Sequence, residues 1–443
     1  MNNRDEVLVR YVVKKMRKAH GLRQEDIAGI STATVSNIEN GKIPVTDDTF
    51  IHFLKQINLY PVEKLHQEVK KEREKMEDLN LTLKSIEAIM EKGNEEIAME
   101  QLKNIEIENF HPLALSIRYL EGRYYRLKDD LKKANDIFIN VIRLAEKNNI
   151  DPPTNVLAYC YKELGNNSFL KNDLTNALHY VNKGLEVFDE NKGRKEVKQR
   201  LQSNKIQYLL KMGQSDHAAQ ILNDLWQHLS EIENIRVVLN IYRFRAAILR
   251  GRGDYEEAIK VCQEGIEIAV RNDIKNRHLD LLNILGTVYL KQNRYEKARK
   301  CFQIVLWMDA GSNYPRRNID SLSNLGTLFI QLADWKQADV HLDEAIRMGR
   351  EVGDSYRLAK ALIVRGNYFF YQGQYNKAVP FYEEAAELLR THGFKQRLST
   401  ALLMLSHCFD KMDKNDDLVR CYKELLKIQG DIDLQSEEEL YDF

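Results

Sequence analysis

The chain repeats itself every forty residues. Alanine stands at Ala218, Ala258, Ala298, Ala338 and Ala378, with Leu418 in the sixth place. Twelve residues before each of the later five comes a small side chain: Ala246, Gly286, Gly326, Gly366, Ser406. Three before the alanine an aromatic ring recurs as Tyr255, Tyr295, Trp335 and Tyr375. A single period held over about 200 residues admits one kind of architecture, a tandem array in which each unit buries its apolar face against the next. Such arrays expose long surfaces suited to gripping other molecules, so most of this chain reads as a binding scaffold.

Within one period the pattern is helical on both sides of a short turn. Leu281, Leu282, Leu285, Val288 and Tyr289 recur at spacings of three and four, then Gln292, Asn293 and Arg294 form a polar turn. Tyr295, Ala298, Phe302 and Val305 mark a second helix. Gly286 and Ala298 fall where the two helices cross, because only small side chains let backbones approach to about 8–9 Å. The pair Leu285-Gly286, repeated as Leu325-Gly326, with the following aromatic and alanine, resembles the tetratricopeptide repeat. The resemblance is strong over 197–429 and weaker upstream, through Gly165 and Ala177 and through Gly122, Tyr125, Ala134 and Phe138. It implies eight or nine helix pairs coiled into a right-handed superhelix with an inner groove. The forty-residue period is longer than the family's usual one, so helices or turns are longer here. Arg277, Arg317, Arg357 and Arg397 keep the same period and are expected to brace one repeat to the next.

The bulk composition gives no global polarity, since Lys+Arg and Asp+Glu both number 66. The distribution is uneven, and residues 1–24 carry a net charge of +5, the end at which a polyanion would be met. Seven prolines and no low-complexity tract argue against long linkers. No apolar run reaches about 18 residues, so no membrane span is expected. Five scattered cysteines without a C-x-x-C pair read as reduced, buried thiols in a cytoplasmic protein. No phosphate-binding glycine loop, H-E-x-x-H or G-x-S-x-G occurs, so neither an enzyme nor a cofactor nor a metal is expected.

The first sixty residues read differently. Val9, Val12, Val13 and Met16 give one helix, Gln24 to Ala28 a very short second, and Ser31 caps a third running from Thr32 to Asn40 and stopped by Gly41. Leu22-x-Gln24-x-x-Ile27-Ala28, then Val35-Ser36-x-Ile38-Glu39-x-Gly41-Lys42 and Pro44, resembles the helix-turn-helix of phage-repressor-like regulators. In that family the equivalent of Thr32–Asn40 enters the major groove. The resemblance implies that Thr32, Ala33, Thr34 and Asn37 face base edges, Gln24 and Asn40 touch phosphates, and Lys14, Arg17, Lys18 and Lys42 flank the DNA backbone. The chain is about three residues shorter than the usual pattern between Ala28 and Val35, so helix two must lose most of a turn. Glu39 is expected to partner a first-helix arginine.

The expected order is therefore all-α: a helix-turn-helix over 1–60, a linker helix over 61–81, tetratricopeptide repeats over 82–432 and an acidic tail over 433–443. In the linker, Leu65, Val69, Met76, Leu79, Leu83 and Ile86 follow a near-heptad, which suits either dimerisation, the slightly favoured alternative, or packing on the repeats. The whole layout resembles the RRNPP family of peptide-sensing transcription regulators, most of all its NprR type. That resemblance implies DNA binding switched by a short imported signalling peptide in the concave groove, and a homodimer or higher oligomer. A Rap-type protein that binds or dephosphorylates a response regulator, and a DNA-tethered scaffold, are the alternatives. Groove-facing places on the first helix of each repeat hold Arg200, Asn204, Gln207 and Lys211; Asn240 and Arg243; Asp280, Asn283 and Lys291; Asp320, Asn324 and Gln331; and Asn367. Asparagine offers a donor and an acceptor on one short arm, which suits a peptide backbone. Arg200 and Arg243 suit a ligand carboxylate.

Overall fold

A computed structural model describes residues 3–41, 45–148, 150–309 and 315–429. Among them the chain is helical throughout, apart from one isolated bridge between Thr154 and Gly193. The head consists of α1 (Asn3–Ala19), a single 3-10 turn at Gln24–Asp26, α2 (Thr32–Asn40) and α3 (Asp47–Gln56). It continues into α4 (Val62–Glu91) and α5 (Glu95–Lys103). There follow α6 (Ala114–Leu127), α7 (Leu131–Asn148), α8 (Val156–Leu170), α9 (Leu174–Glu186), α10 (Val197–Lys211) and α11 (Ser215–Gln227). The array goes on as α12 (Ile235–Arg252), α13 (Tyr255–Arg271), α14 (Lys275–Lys291), α15 (Tyr295–Met308) and α16 (Pro315–Gln331). It ends with α17 (Trp335–Val352), α18 (Ser355–Phe370), α19 (Tyr375–Thr391), α20 (Lys395–Lys411) and α21 (Asn415–Gln429). The chain is thus all-α, a helix-turn-helix followed by tetratricopeptide repeats. The acidic tail over 433–443 lies outside the described residues.

Two compact units emerge: Met1–Asn167 with Asn182–Val197, and Ser168–Val181 with Lys198–Phe443. The division does not follow the expected 81/82 boundary, because α4 runs through that point as one helix. In the first unit Leu65 and Val69 of α4 are buried in the head core with Val12, Val13, Val35, Phe53 and Leu54. Further along α4, Leu83, Ile86 and Met90 are also buried. Four of the six near-heptad positions are thus taken up by packing inside the chain, while Met76 and Leu79 are half-buried.

In the second unit the first helices α12, α14, α16, α18 and α20 pack successively side by side, while each also forms a hairpin with the helix after it. That makes the first helices the inner layer. The crossings show why the small residue is required. A Cβ at Gly286 would stand 2.5 Å from the Phe302 ring, and Gly326 and Gly366 stand in the same relation to Leu342 and Tyr382. The gap is filled by the residue sixteen positions on, one helical turn past the alanine, rather than by the ring beside the turn. The period extends to the backbone: Gly213, Gly253, Asn293, Ala333, Gly373 and Asp413, forty apart, all have positive φ and end each first helix in the left-handed conformation.

Candidate nucleic-acid interface and ligand groove

Helix α2 of the head is framed by its caps. Ser31 Oγ accepts from the Thr34 backbone N–H at 3.1 Å. Gly41 closes the other end with φ 65°. Thr32 and Ala33 are exposed, and Thr34 and Asn37 half-buried, so the N-terminal turn of α2 is presented outward. Thr34 Oγ1 shares a hydrogen bond with Ser31 Oγ at 2.8 Å, and the Asn40 amide donates to Ser36 Oγ at 3.0 Å. The shortened second helix is a three-residue turn pinned to α3: Gln56 accepts from the Ala28 N–H and donates to its carbonyl, both at 2.7 Å.

Of the cations expected around the DNA backbone, Lys14 is half-buried, Lys18 exposed and Arg17 placed otherwise. Arg17 is buried, donating to Glu39 at 2.5 and 3.1 Å and to the Leu22 carbonyl. It is a core ion pair, not a phosphate contact, because Glu39 is itself only 4 % exposed and would otherwise be an uncompensated charge. Gln24, expected on a phosphate, donates to the same carboxylate at 2.9 Å. Lys14 and Lys18 lie over the Phe110 ring, 5.3 and 4.5 Å from its centroid. Burial pulls the Lys14 ammonium below its usual value. Alongside, Tyr11 donates to Glu108 at 2.8 Å, and burial brings neighbouring His111 down to about 4. Lys42 lies outside the described residues.

In the second unit an open pocket of about 210 Å³ sits among the first helices, smaller than the roughly 300–1,000 Å³ of clefts that enclose a drug-sized ligand. Gln207, Lys211, Arg243 and Asp280, four of the expected groove residues, line it. Arg277, Arg316, Arg317 and Arg357 add four guanidinium groups. The period supplies a ladder: Arg317 reaches back to Asp280 at 2.8 and 3.2 Å, and Arg357 to Asp320 at 2.8 Å. Arg397 continues it by donating to the Tyr356 carbonyl at 2.8 Å. Arg277 also binds Asp280, and Arg316 and Arg357 bind Asp354. These neighbours hold the Asp280 carboxyl far below the usual carboxylate range despite its burial. Arg243 is 5 % exposed. Burial pulls it down to about 9, opposed by Asp280 and reinforced by Arg277, Arg317 and Arg357.

The asparagines divide into two sets. Asn283 donates to the Arg317 carbonyl at 3.2 Å and accepts from Ser321 at 2.6 Å, and Asn367 accepts from the Tyr382 hydroxyl at 2.6 Å. Those amides already tie elements of the array together. Asn240 donates to Ser203 at 3.0 Å, yet its Oδ1 and that of Asn324 are buried with no hydrogen-bond partner. Arg200 and Asn204 are half-buried on α10 and do not line the pocket. Sequence reasoning missed Phe169, Asn172, Tyr356 and Phe394, which do. The early end of this unit returns against its late repeats, with Leu174 in one cluster with Tyr356 and Phe394, and Lys211 Nζ 3.0 Å from the Tyr356 ring centroid. No repeat-register argument predicts that closure.

Comparison with known proteins supports both parts. A helix-turn-helix family model matches residues 13–64, and a tetratricopeptide-repeat model matches 237–306 and 318–391. No curated protein matches the chain. Among solved structures, Rap protein complexed with Competence and Sporulation Factor has a TM-score of 0.61 at 16% identity, covering 80% of this chain and 98% of its own. NprR in complex with its cognate peptide NprX gives 0.57 at 17%, covering 80% and 99%. The Rap conjugation gene regulator of plasmid pLS20 in complex with the Phr* peptide gives 0.52 at 14%, covering 80% and 98%. At these identities the likeness is one of fold. Among the described residues no helix is long and apolar enough to cross a membrane. The chain thus joins a helix-turn-helix head to tetratricopeptide repeats whose fold is like that of the Rap and NprR structures.

Proposed function

We propose that this protein is a cytoplasmic transcription regulator that binds double-stranded DNA through α2 and is switched by a short signalling peptide held in the groove of its repeats. One observation carries the ligand half. Successive first helices bring Gln207, Arg243 and Asp280 to one pocket, while Asn240 and Asn324 keep buried carbonyl oxygens without donors. Neither asparagine lines that pocket; they lie on α12 and α16, the first helices that also supply its Arg243, Arg316 and Arg317. The outward N-terminal turn of α2 supports the DNA half, with Thr32, Ala33 and Asn37 as base readers. A homodimer matches the two-fold symmetry of most helix-turn-helix operators.

The test uses the full chain, duplex DNA from upstream of its own and adjacent genes, and synthetic peptides from small neighbouring reading frames. DNA affinity should fall steeply with salt, as phosphate contacts require. A peptide that binds should shift that affinity at least fivefold, the lower end of ordinary allosteric coupling. A salt-independent head, or peptides that bind without altering DNA affinity, would refute the switch.

A further inference from the structure

We infer that the groove ligand is an acidic peptide, one whose carboxylates meet the cationic cluster of Lys211, Arg243, Arg277, Arg316, Arg317 and Arg357. This rests on the peptide reading above and names the chemistry of its ligand. Six cationic side chains line one pocket against two carboxylates, Asp280 and Asp354. Counting Asp320 as well, the cations still outnumber the anions two to one. Each of those three carboxylates already serves an arginine of the cluster: Asp280 binds Arg277 and Arg317, Asp320 binds Arg357, and Asp354 binds Arg316 and Arg357. The pocket lining therefore holds more cations than carboxylates even with those pairs formed.

Position makes that excess matter. Arg243 is buried, and the side chains of Arg277, Arg317 and Arg357 are each about four-fifths removed from solvent. Like charges held close together, with little water between them, repel more strongly than the same charges at a surface. A ligand carboxylate placed among them gains charge-assisted, bidentate hydrogen bonds and relieves that repulsion. A basic ligand would add to it. The aromatic side chains of Phe169, Tyr356 and Phe394 share the lining, so the pocket favours a chain that pairs acidic with apolar residues over a bare inorganic anion.

Affinity selection on the full chain decides the matter. The protein is mixed with three pools of random heptapeptides built on the same apolar residues, supplemented with Asp/Glu, Asn/Gln or Lys/Arg, and the retained peptides are sequenced by mass spectrometry. Peptides with two or more acidic residues should be enriched about tenfold or more over their amide counterparts, the effect of one charged hydrogen bond. R243Q should remove most of that preference, and R243K should keep part of it. The variant R316Q, at a side chain about two-fifths exposed whose partner Asp354 keeps Arg357, should weaken acidic binders in the same direction and reports even if R243Q unfolds. Equal or better retention of the neutral or basic pools overturns the acidic assignment and leaves the peptide reading standing. Retention of no peptide from any pool overturns both.

Discussion

Two of the buried clusters of charge in this molecule behave in opposite ways. In the head, Arg17 and Glu39 form a closed pair: one cation, one carboxylate, with Gln24 and the Leu22 carbonyl taking up the remaining hydrogen-bonding capacity. In the groove of the repeats, six cations share a pocket with two carboxylates, and Arg243 is pulled down to about 9 by burial and by its arginine neighbours. A balanced pair holds a fold together without inviting a ligand. An unbalanced cluster carries a standing electrostatic cost, which is the expected signature of a surface shaped for a partner of opposite sign.

The contrast can be broken experimentally. The largest effect is expected from R17M, which strands Glu39 as an uncompensated buried charge and should cost the head about 3–5 kcal/mol in urea unfolding, whereas R17M with E39L should come back close to wild type. A single-variant loss under 1 kcal/mol would show that the pair is not closed in solution.

Next comes D280N, which removes the carboxylate neutralising Arg277 and Arg317 and should destabilise the second unit by about 2–3 kcal/mol at pH 7. The pH dependence follows from sign. The Asp280 carboxyl is held below its unfolded value, so its contribution is present above about pH 4 and is lost as pH falls further towards its folded value. Acid unfolding of D280N should accordingly be shallower than that of wild type below about pH 4. Parallel acid limbs would remove Asp280 from the cluster.

An uncharged control separates electrostatics from packing. G122L in the first unit and G326L in the second each place a side chain where Phe138 or Leu342 already fills the crossing. Both should cost about 1–3 kcal/mol, with no change in ligand preference. The smallest effect is expected from R243M: relief of like-charge crowding should stabilise the ligand-free protein by about 1 kcal/mol while weakening an acidic ligand. Destabilisation by R243M would mean that the groove charges are balanced after all.

The forty-residue period was enough to fix a helical array, because small residues at Gly286, Gly326 and Gly366 and alanines twelve further on leave only close-packed hairpins as a solution. The caps Ser31 and Gly41 and the inward role of Glu39 were equally legible, since each follows from local backbone chemistry or from one long side chain in register. The arginine ladder could be read from its period, although its carboxylate partners Asp280 and Asp320 were taken for groove surface.

Which arginine of α1 meets Glu39, which lysines rest on Phe110, and which asparagines are already tied within the array depend on contacts between segments far apart in sequence. So does the pocket itself: Phe169 and Phe394 are more than 200 residues apart, yet they line one cavity because the second unit closes on itself. Periodicity determined what each repeat must be. Only the accumulated twist of the stacked helices decided which repeats would face each other, because that angle is set by packing at every interface and is written in no single one.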